Sequence, residues 1–141
     1  MQRVSEARVS VDGEIVGAID RGLLVLLGLD KGDDRVAVGR LLDKLLAYRV
    51  FADDSGRMNC SVADVEGGVL LISQFTLSAD TRKGLRPSFS SAMPPAEAEA
   101  LYEYMLEQLA QRHARVAAGR FGADMQVSLV NDGPVTFLLE V

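Results

Sequence analysis

Residues 22–29, "GLLVLLGL", carry no polar side chain at all. The run is too short to cross a bilayer as a helix, which takes ~20 apolar residues. It is the right length for a strand. A strand that is apolar at every position is expected to be buried on both faces. Any fold built on it must cover both sides.

The rest of the chain offers the covers. "VSEARVSVDGEIVGAI" alternates and contains Asp12-Gly13, the signal of a two-residue β-hairpin. "DKGDD" reads as a loop, with Asp33 or Asp34 as the cap of a following helix. That helix, "RVAVGRLLDKLLAYRVF", sets Val38, Leu41, Leu42, Leu45 and Leu46 on one stripe. "DDSGRMNCSVADVEGG" is turn-rich and holds a short hairpin, and "VLLISQFTL" reads as a strand. A long loop, "SADTRKGLRPSFSSAMPP", leads to Pro94-Pro95, which suits the first turn of a second helix. Its stripe is Ala98, Leu101, Tyr102, Met105, Leu106 and Leu109. "ARVAAGRFGADMQVSLV" gives two short strands around a Gly-rich turn, and "PVTFLLEV" a closing strand. Two one-sided helices and many strands, mostly in hairpins, predict an α+β fold in which both helices cover a sheet.

The 141 residues fit a single domain spanning 1–141. Fifteen Lys and Arg against 20 Asp and Glu leave a net charge of −5, which argues against broad contact with a phosphate backbone. A nucleic acid gripped only at one end remains compatible with that charge. Cys60 is the single cysteine, so no intrachain disulfide can form. The first residues, "MQRVSEARVS", lack the apolar core of a signal peptide, and a soluble cytoplasmic protein is expected.

Most familiar chemistries lack their residues. His113 is the only histidine and sits at the end of the second helix, where a cap role suits it. Ser-His-Asp and Cys-His sites are therefore disfavoured. Cys60 reads as a small, partly buried residue. No metal-ligand spacing or phosphate loop is present, so no metal or cofactor is expected.

Two short stretches remain. In "LLISQFTLSA", a continuous strand would put Leu70, Ile72, Gln74 and Thr76 on one face and Leu71, Ser73, Phe75 and Leu77 on the other. Polar groups then appear on both faces, which a core strand avoids because an unpaired buried polar group costs roughly 1–3 kcal/mol. Either the strand emerges into solvent there, or Ser73, Gln74, Phe75 and Thr76 line a site. "NDGPVT", Asn131–Thr136, reads either as a turn with Pro134 opening an edge strand or as a functional loop with a cis Gly133-Pro134 bond.

"SQFTL" and "NDGPVT" together resemble the two signature motifs of the D-aminoacyl-tRNA deacylases. The blocks "QRVSEARVSVDGEIVGAIDRGLLVLLGL", "ADTRKGLRPSFSSAMPP", "LYEYM" and "GRFGADMQVSLVNDGPVT" resemble that family in order along the chain. The family usually carries a few more residues before "QRV", so the expectation is either a shortened first strand or an incomplete start, which bears on the outer edge of that strand and not on the motifs. The resemblance implies a three-layer β/β/α homodimer that hydrolyses the ester joining a D-amino acid, or glycine, to the 3′-terminal adenosine of tRNA. It implies that Ser73, Gln74, Phe75 and Thr76 form the catalytic pocket. Gly133 and Pro134 would form a cis pair reaching into the partner's pocket, with Asn131 in the same motif and Arg3 steadying the loop. Arg82, Lys83 and Arg86 are candidates for holding the tRNA end, as against a merely solvated loop. Two other readings stand beside this one: a general small-ester hydrolase using Thr76 or Ser73, and a non-enzymatic dimer binding an RNA end.

Overall fold

The computed structural model describes the whole chain, Met1–Val141. Strands β1 (Gln2–Val11) and β2 (Glu14–Ile19) form the expected hairpin, with Asp12 and Gly13 both at positive φ. The first strand runs ten residues from Gln2. Then come β3 (Gly22–Leu27), α1 (Arg35–Ala47), a hairpin of β4 (Phe51–Ala52) and β5 (Met58–Cys60), and β6 (Gly68–Ser73). A 3-10 turn (Phe75–Ser78), α2 (Pro95–Arg112), β7 (Val116–Ala118) and β8 (Gln126–Thr136) complete the chain.

β1 organises the main sheet. β8 pairs along its length, while its other edge pairs with β2 at Ala7–Val11 and with β3 at Gln2–Val4. β6 and β7 continue the sheet beyond β3, and both of those pairings are parallel. The expectation of strands mostly in hairpins is thus corrected. Parallel neighbours need long crossovers, and the two amphipathic helices supply them: α1 between β3 and β6, α2 between β6 and β7. β2 and β7 come so close that a Cβ on Gly17 would sit 2.5 Å from the Ala118 carbonyl oxygen. The sheet therefore curls into a nearly closed barrel.

β3 and β6 are buried on both faces, as the apolar run predicts. Leu23, Val25 and Leu27 of β3, with Val69 and Leu71 of β6, pack under Val38, Leu42 and Leu45 of α1 and Leu101, Met105 and Leu109 of α2. Leu24, Leu70 and Ile72 point the other way, into the barrel with Val4 and Val9. Fully burying one such side chain contributes roughly 2 kcal/mol. The Asp34 carboxylate caps α1 by accepting the Ala37 N–H at 2.9 Å, while Asp33 accepts the Asp30 N–H. His113 is the C-cap of α2. No helix is long and apolar enough to cross a membrane.

Two further expectations are corrected. The strand read through Leu77 stops at Ser73. The last rung is the Gln74 N–H donating to the Leu27 carbonyl at 2.7 Å. Beyond it β3 has ended, and the Leu29 carbonyl accepts instead from Met93 N–H. Without a partner strand the chain winds into the 3-10 turn. The alternating faces assigned to Phe75, Thr76 and Leu77 therefore do not exist.

The second correction concerns the C-terminal segment. "NDGPVT" is not a turn between two strands, and residues 137–141 form none; β8 runs straight through to Thr136. Asn131 pairs with Val4 and Thr136 with Gln2, so residues 132–135 stand opposite Arg3 alone. Both flanks pair with the same strand in the same direction. The extra residues can only bulge out of the sheet.

Candidate active site

The bulge is gripped through its main chain. The Arg3 side chain is 14% exposed. Its Nε donates to the Asp132 carbonyl at 3.0 Å and its Nη1 to the Val50 carbonyl at 2.6 Å. One guanidinium thus ties the rising limb of the bulge to the segment between α1 and β4. Asn131 closes the neck: its Oδ1 accepts the Val135 N–H at 2.6 Å. Its Nδ2 donates to Thr136 Oγ1 at 2.8 Å and to Gln2 Oε1 at 2.9 Å. All of the Asn131 amide is engaged inside the bulge, so its part there is to hold shape.

At the crown lie Gly133 and Pro134, both exposed, with a cis peptide between them. Gly133 has φ +141, a conformation side chains rarely adopt, and a Cβ there would lie 2.6 Å from Val135 Cγ2 and 3.2 Å from Arg3 Nη2. The crown presents bare backbone.

The second group sits at the C-terminal end of β6. Ser73 and Gln74 are partly buried, whereas Phe75 and Thr76 are exposed on the 3-10 turn. Gln74 Nε2 donates to Thr76 Oγ1 at 2.6 Å. No carboxylate or imidazole reaches that hydroxyl. His113 is bonded to the Gly67 carbonyl, just before β6 begins. Six residues of strand therefore separate its partner from Ser73, roughly 20 Å at the usual strand rise. The turn and loop hydrogen bonds use the N–H groups of Gln74, Leu77 and Ala79 but not those of Phe75 or Thr76. First-turn N–H groups lack partners within a helix, which leaves these two, on exposed residues, as available donors.

The turn is well supported. Ser78, buried, donates to the Leu29 carbonyl at 3.3 Å, and Ser91 Oγ donates to the Ser78 carbonyl at 2.7 Å. The Phe75 ring meets Phe89 with centroids 5.1 Å apart. Phe89 follows the basic loop, which is closed at its base by a bridge between Asp80 and Ser88. Within that loop Arg82 is held by both oxygens of Asp80, at 2.9 and 2.7 Å. The same guanidinium keeps the Asp80 carboxyl below its ordinary pKa. Lys83 and Arg86 form no ion pair.

The structure thus gathers the candidate residues into two groups. Ser73–Thr76 lie beside the loop that carries Arg82, Lys83 and Arg86. Arg3, Asn131, Gly133 and Pro134 lie together elsewhere. Arg3 is level with Leu23, and Ser73 with Leu27. From the bulge on β8, level with Arg3, to Ser73 on β6 the offset is four residues along the strands and three strand spacings across, on the order of 20 Å along the sheet. Val50 had no signal in the sequence, because it acts through its carbonyl. Gln2 and Thr136 were missed as partners of Asn131 because bulge pairing is invisible without the register.

A nearly closed mixed barrel under two crossover helices is an α+β fold, and its two groups of candidate residues hold exposed main chain rather than a side-chain acid–base pair. The model of the D-Tyr-tRNA(Tyr) deacylase family matches residues 1–140. The chain is 66% identical over 140 residues to the D-aminoacyl-tRNA deacylase of Stutzerimonas stutzeri (strain A1501), covering 99% of this chain and 97% of that one. It is 62% identical to that of Cellvibrio japonicus (strain Ueda107) over 141 residues, covering 100% and 97%. Among solved structures, "c-Myc DNA Unwinding Element Binding Protein" superposes with TM-score 0.95 at 44% identity, covering 99% of this chain and 95% of that one. "Structural Analysis of a probable eukaryotic D-amino acid tRNA deacylase" superposes with TM-score 0.80 at 16% identity over 94% and 92%, a likeness of fold. The chain belongs to the D-aminoacyl-tRNA deacylase family and is a hydrolase.

Proposed function

We propose that this chain works as a homodimer that removes D-amino acids from tRNA, each active site combining the 3-10 turn of one protomer with the Gly133–Pro134 bulge of the other. The observation that carries the reading is the bulge itself: exposed bare main chain, clamped by Arg3 and Asn131. A group this rigid suits the rejection of a substrate by shape. Its carbonyl oxygens accept hydrogen bonds from the substrate α-ammonium. With that ammonium and the ester fixed, a D side chain leaves the pocket, whereas an L side chain runs into the Gly133–Pro134 backbone. A thousandfold rejection of L needs only about 4 kcal/mol. Glycine has no side chain to reject, so glycyl-tRNA is also cleaved.

The separation of the two groups within one protomer supports the crossed site, and so does the outer edge of β8, which pairs with β1 alone. Long unpaired edges invite a second chain. Cleavage uses the Phe75 and Thr76 N–H groups as donors to the developing oxyanion. With no base beside Thr76, the ribose hydroxyl next to the ester orients the attacking water. The tRNA end is held at Lys83 and Arg86, in the cytoplasm where charged tRNA is found.

The test uses D-tyrosyl-tRNA ending in 2′-deoxyadenosine, with the amino acid on the 3′-oxygen. Binding is expected to persist and turnover to vanish, while Thr76→Ala keeps turnover on normal tRNA. A Thr76→Ala variant that binds substrate but has no activity would overturn the RNA-assisted step and favour a Thr76 nucleophile.

A further inference from the structure

Gln2 and Arg3 are neighbours on β1, so their side chains leave opposite faces of the sheet. Arg3 sits level with Leu23, on the side that faces the helices. Gln2 sits level with Leu24, on the side of the barrel interior. The bulge opposite them is therefore held from two sides. The Arg3 side ends on the Asp132 carbonyl, and the other side runs from Gln2 through Asn131 to Val135.

We propose that Gln2 and Thr136 are positioning residues for the Gly133–Pro134 main chain, acting through the orientation of the Asn131 amide. This rests on the reading of that main chain as the filter for handedness.

An asparagine amide can sit in two orientations half a turn apart, with oxygen and nitrogen exchanged. Only one of them puts Oδ1 on the Val135 N–H. Pro134 has no N–H, so Val135 carries the first donor after the crown. In the other orientation an NH2 group would face that donor, and the returning limb of the bulge would lose its tie. Gln2 Oε1 and Thr136 Oγ1 are both acceptors, at 2.9 and 2.8 Å from Asn131 Nδ2. They fix the NH2 on their side and hence the oxygen on Val135. Gln2 and Thr136 are themselves a cross-strand pair, so the two acceptors are set by sheet register. The returning limb matters because Val135 Cγ2 lies where a Gly133 side chain would be. A shift of Val135 moves the crown.

The experiment measures hydrolysis of D- and L-tyrosyl-tRNA, and the melting temperature, for Gln2→Ala, Gln2→Glu and Thr136→Val. Gln2→Ala and Thr136→Val each lower the D-over-L ratio of kcat/KM by about tenfold, the scale of one lost hydrogen bond. Gln2→Glu keeps an acceptor facing Asn131 Nδ2 and keeps the ratio. Melting temperatures stay near that of the parent. The proposal is overturned if Gln2→Ala and Thr136→Val leave the ratio unchanged, or if Gln2→Glu lowers it as much as Gln2→Ala. Should Gln2→Ala fail to fold, Thr136→Val decides alone. Gly133→Ala separates the two levels. It is expected to abolish hydrolysis of D-tyrosyl-tRNA: if that hydrolysis persists unchanged, the filter reading fails; if it is lost while Gln2→Ala and Thr136→Val leave the ratio unchanged, only the role of Gln2 and Thr136 fails.

Discussion

Tyr102 shows how one residue joins the helix layer to the strand that carries the candidate site. It is 3% exposed, and its hydroxyl donates to the Leu71 carbonyl of β6 at 3.0 Å. Burial pushes its pKa up to about 12. The folded protein thus favours the neutral phenol, while an unfolded tyrosine ionises near ~10. The contribution is full below about pH 10 and is lost as pH rises towards 12. Tyr102→Phe is expected to cost ~1 kcal/mol at neutral pH and to flatten the fall in stability between about pH 10 and 12. Urea midpoints measured across that range check it; equal slopes for both proteins would contradict it. Residues of this kind were readable in the sequence as part of a helical stripe, though not their polar partners. Arg3 illustrates the limit: its two acceptors are carbonyl oxygens, which any residue type could supply.

At the level of elements, hydropathy patterning carried the helices and the buried strands, because burial on one or two faces leaves a period in the side chains. The α1 cap and the Pro94-Pro95 start of α2 were local and therefore legible. The 3-10 turn and the bulge were not. Each depends on where a partner strand stops or stays in register, as at Gln74 and at Thr136. The basic loop gives a prediction at this scale. Arg82 is already paired with Asp80, so only Lys83 and Arg86 are free to meet phosphate. Replacing both with alanine is expected to lower the salt slope of tRNA affinity by about 1.5 in log–log form, at ~0.7–0.9 per phosphate contact. Arg82→Ala should change it little. Binding titrations at several salt concentrations check both statements. The overall slope stays shallower than roughly −4 if only the acceptor end is held.

The whole molecule carries a net charge of −5, so a long track of phosphates has no basic face to follow. That favours contact with the end of a tRNA over contact along a duplex. The central claim is that one site needs two chains, and mixing inactive variants tests it most directly. Gly133→Ala damages the bulge. Phe75→Pro removes an N–H from the 3-10 turn, at a position where the preceding Gln74, with φ −138 and ψ 80, lies outside the helical region that a following proline disfavours. Each variant alone is expected to be inactive on D-tyrosyl-tRNA. Co-refolded in equal amounts, half the dimers are mixed and each has one intact site, so turnover returns to about a quarter of the parent's. A mixture as inactive as its two components would place both motifs of a site in one chain and contradict the account.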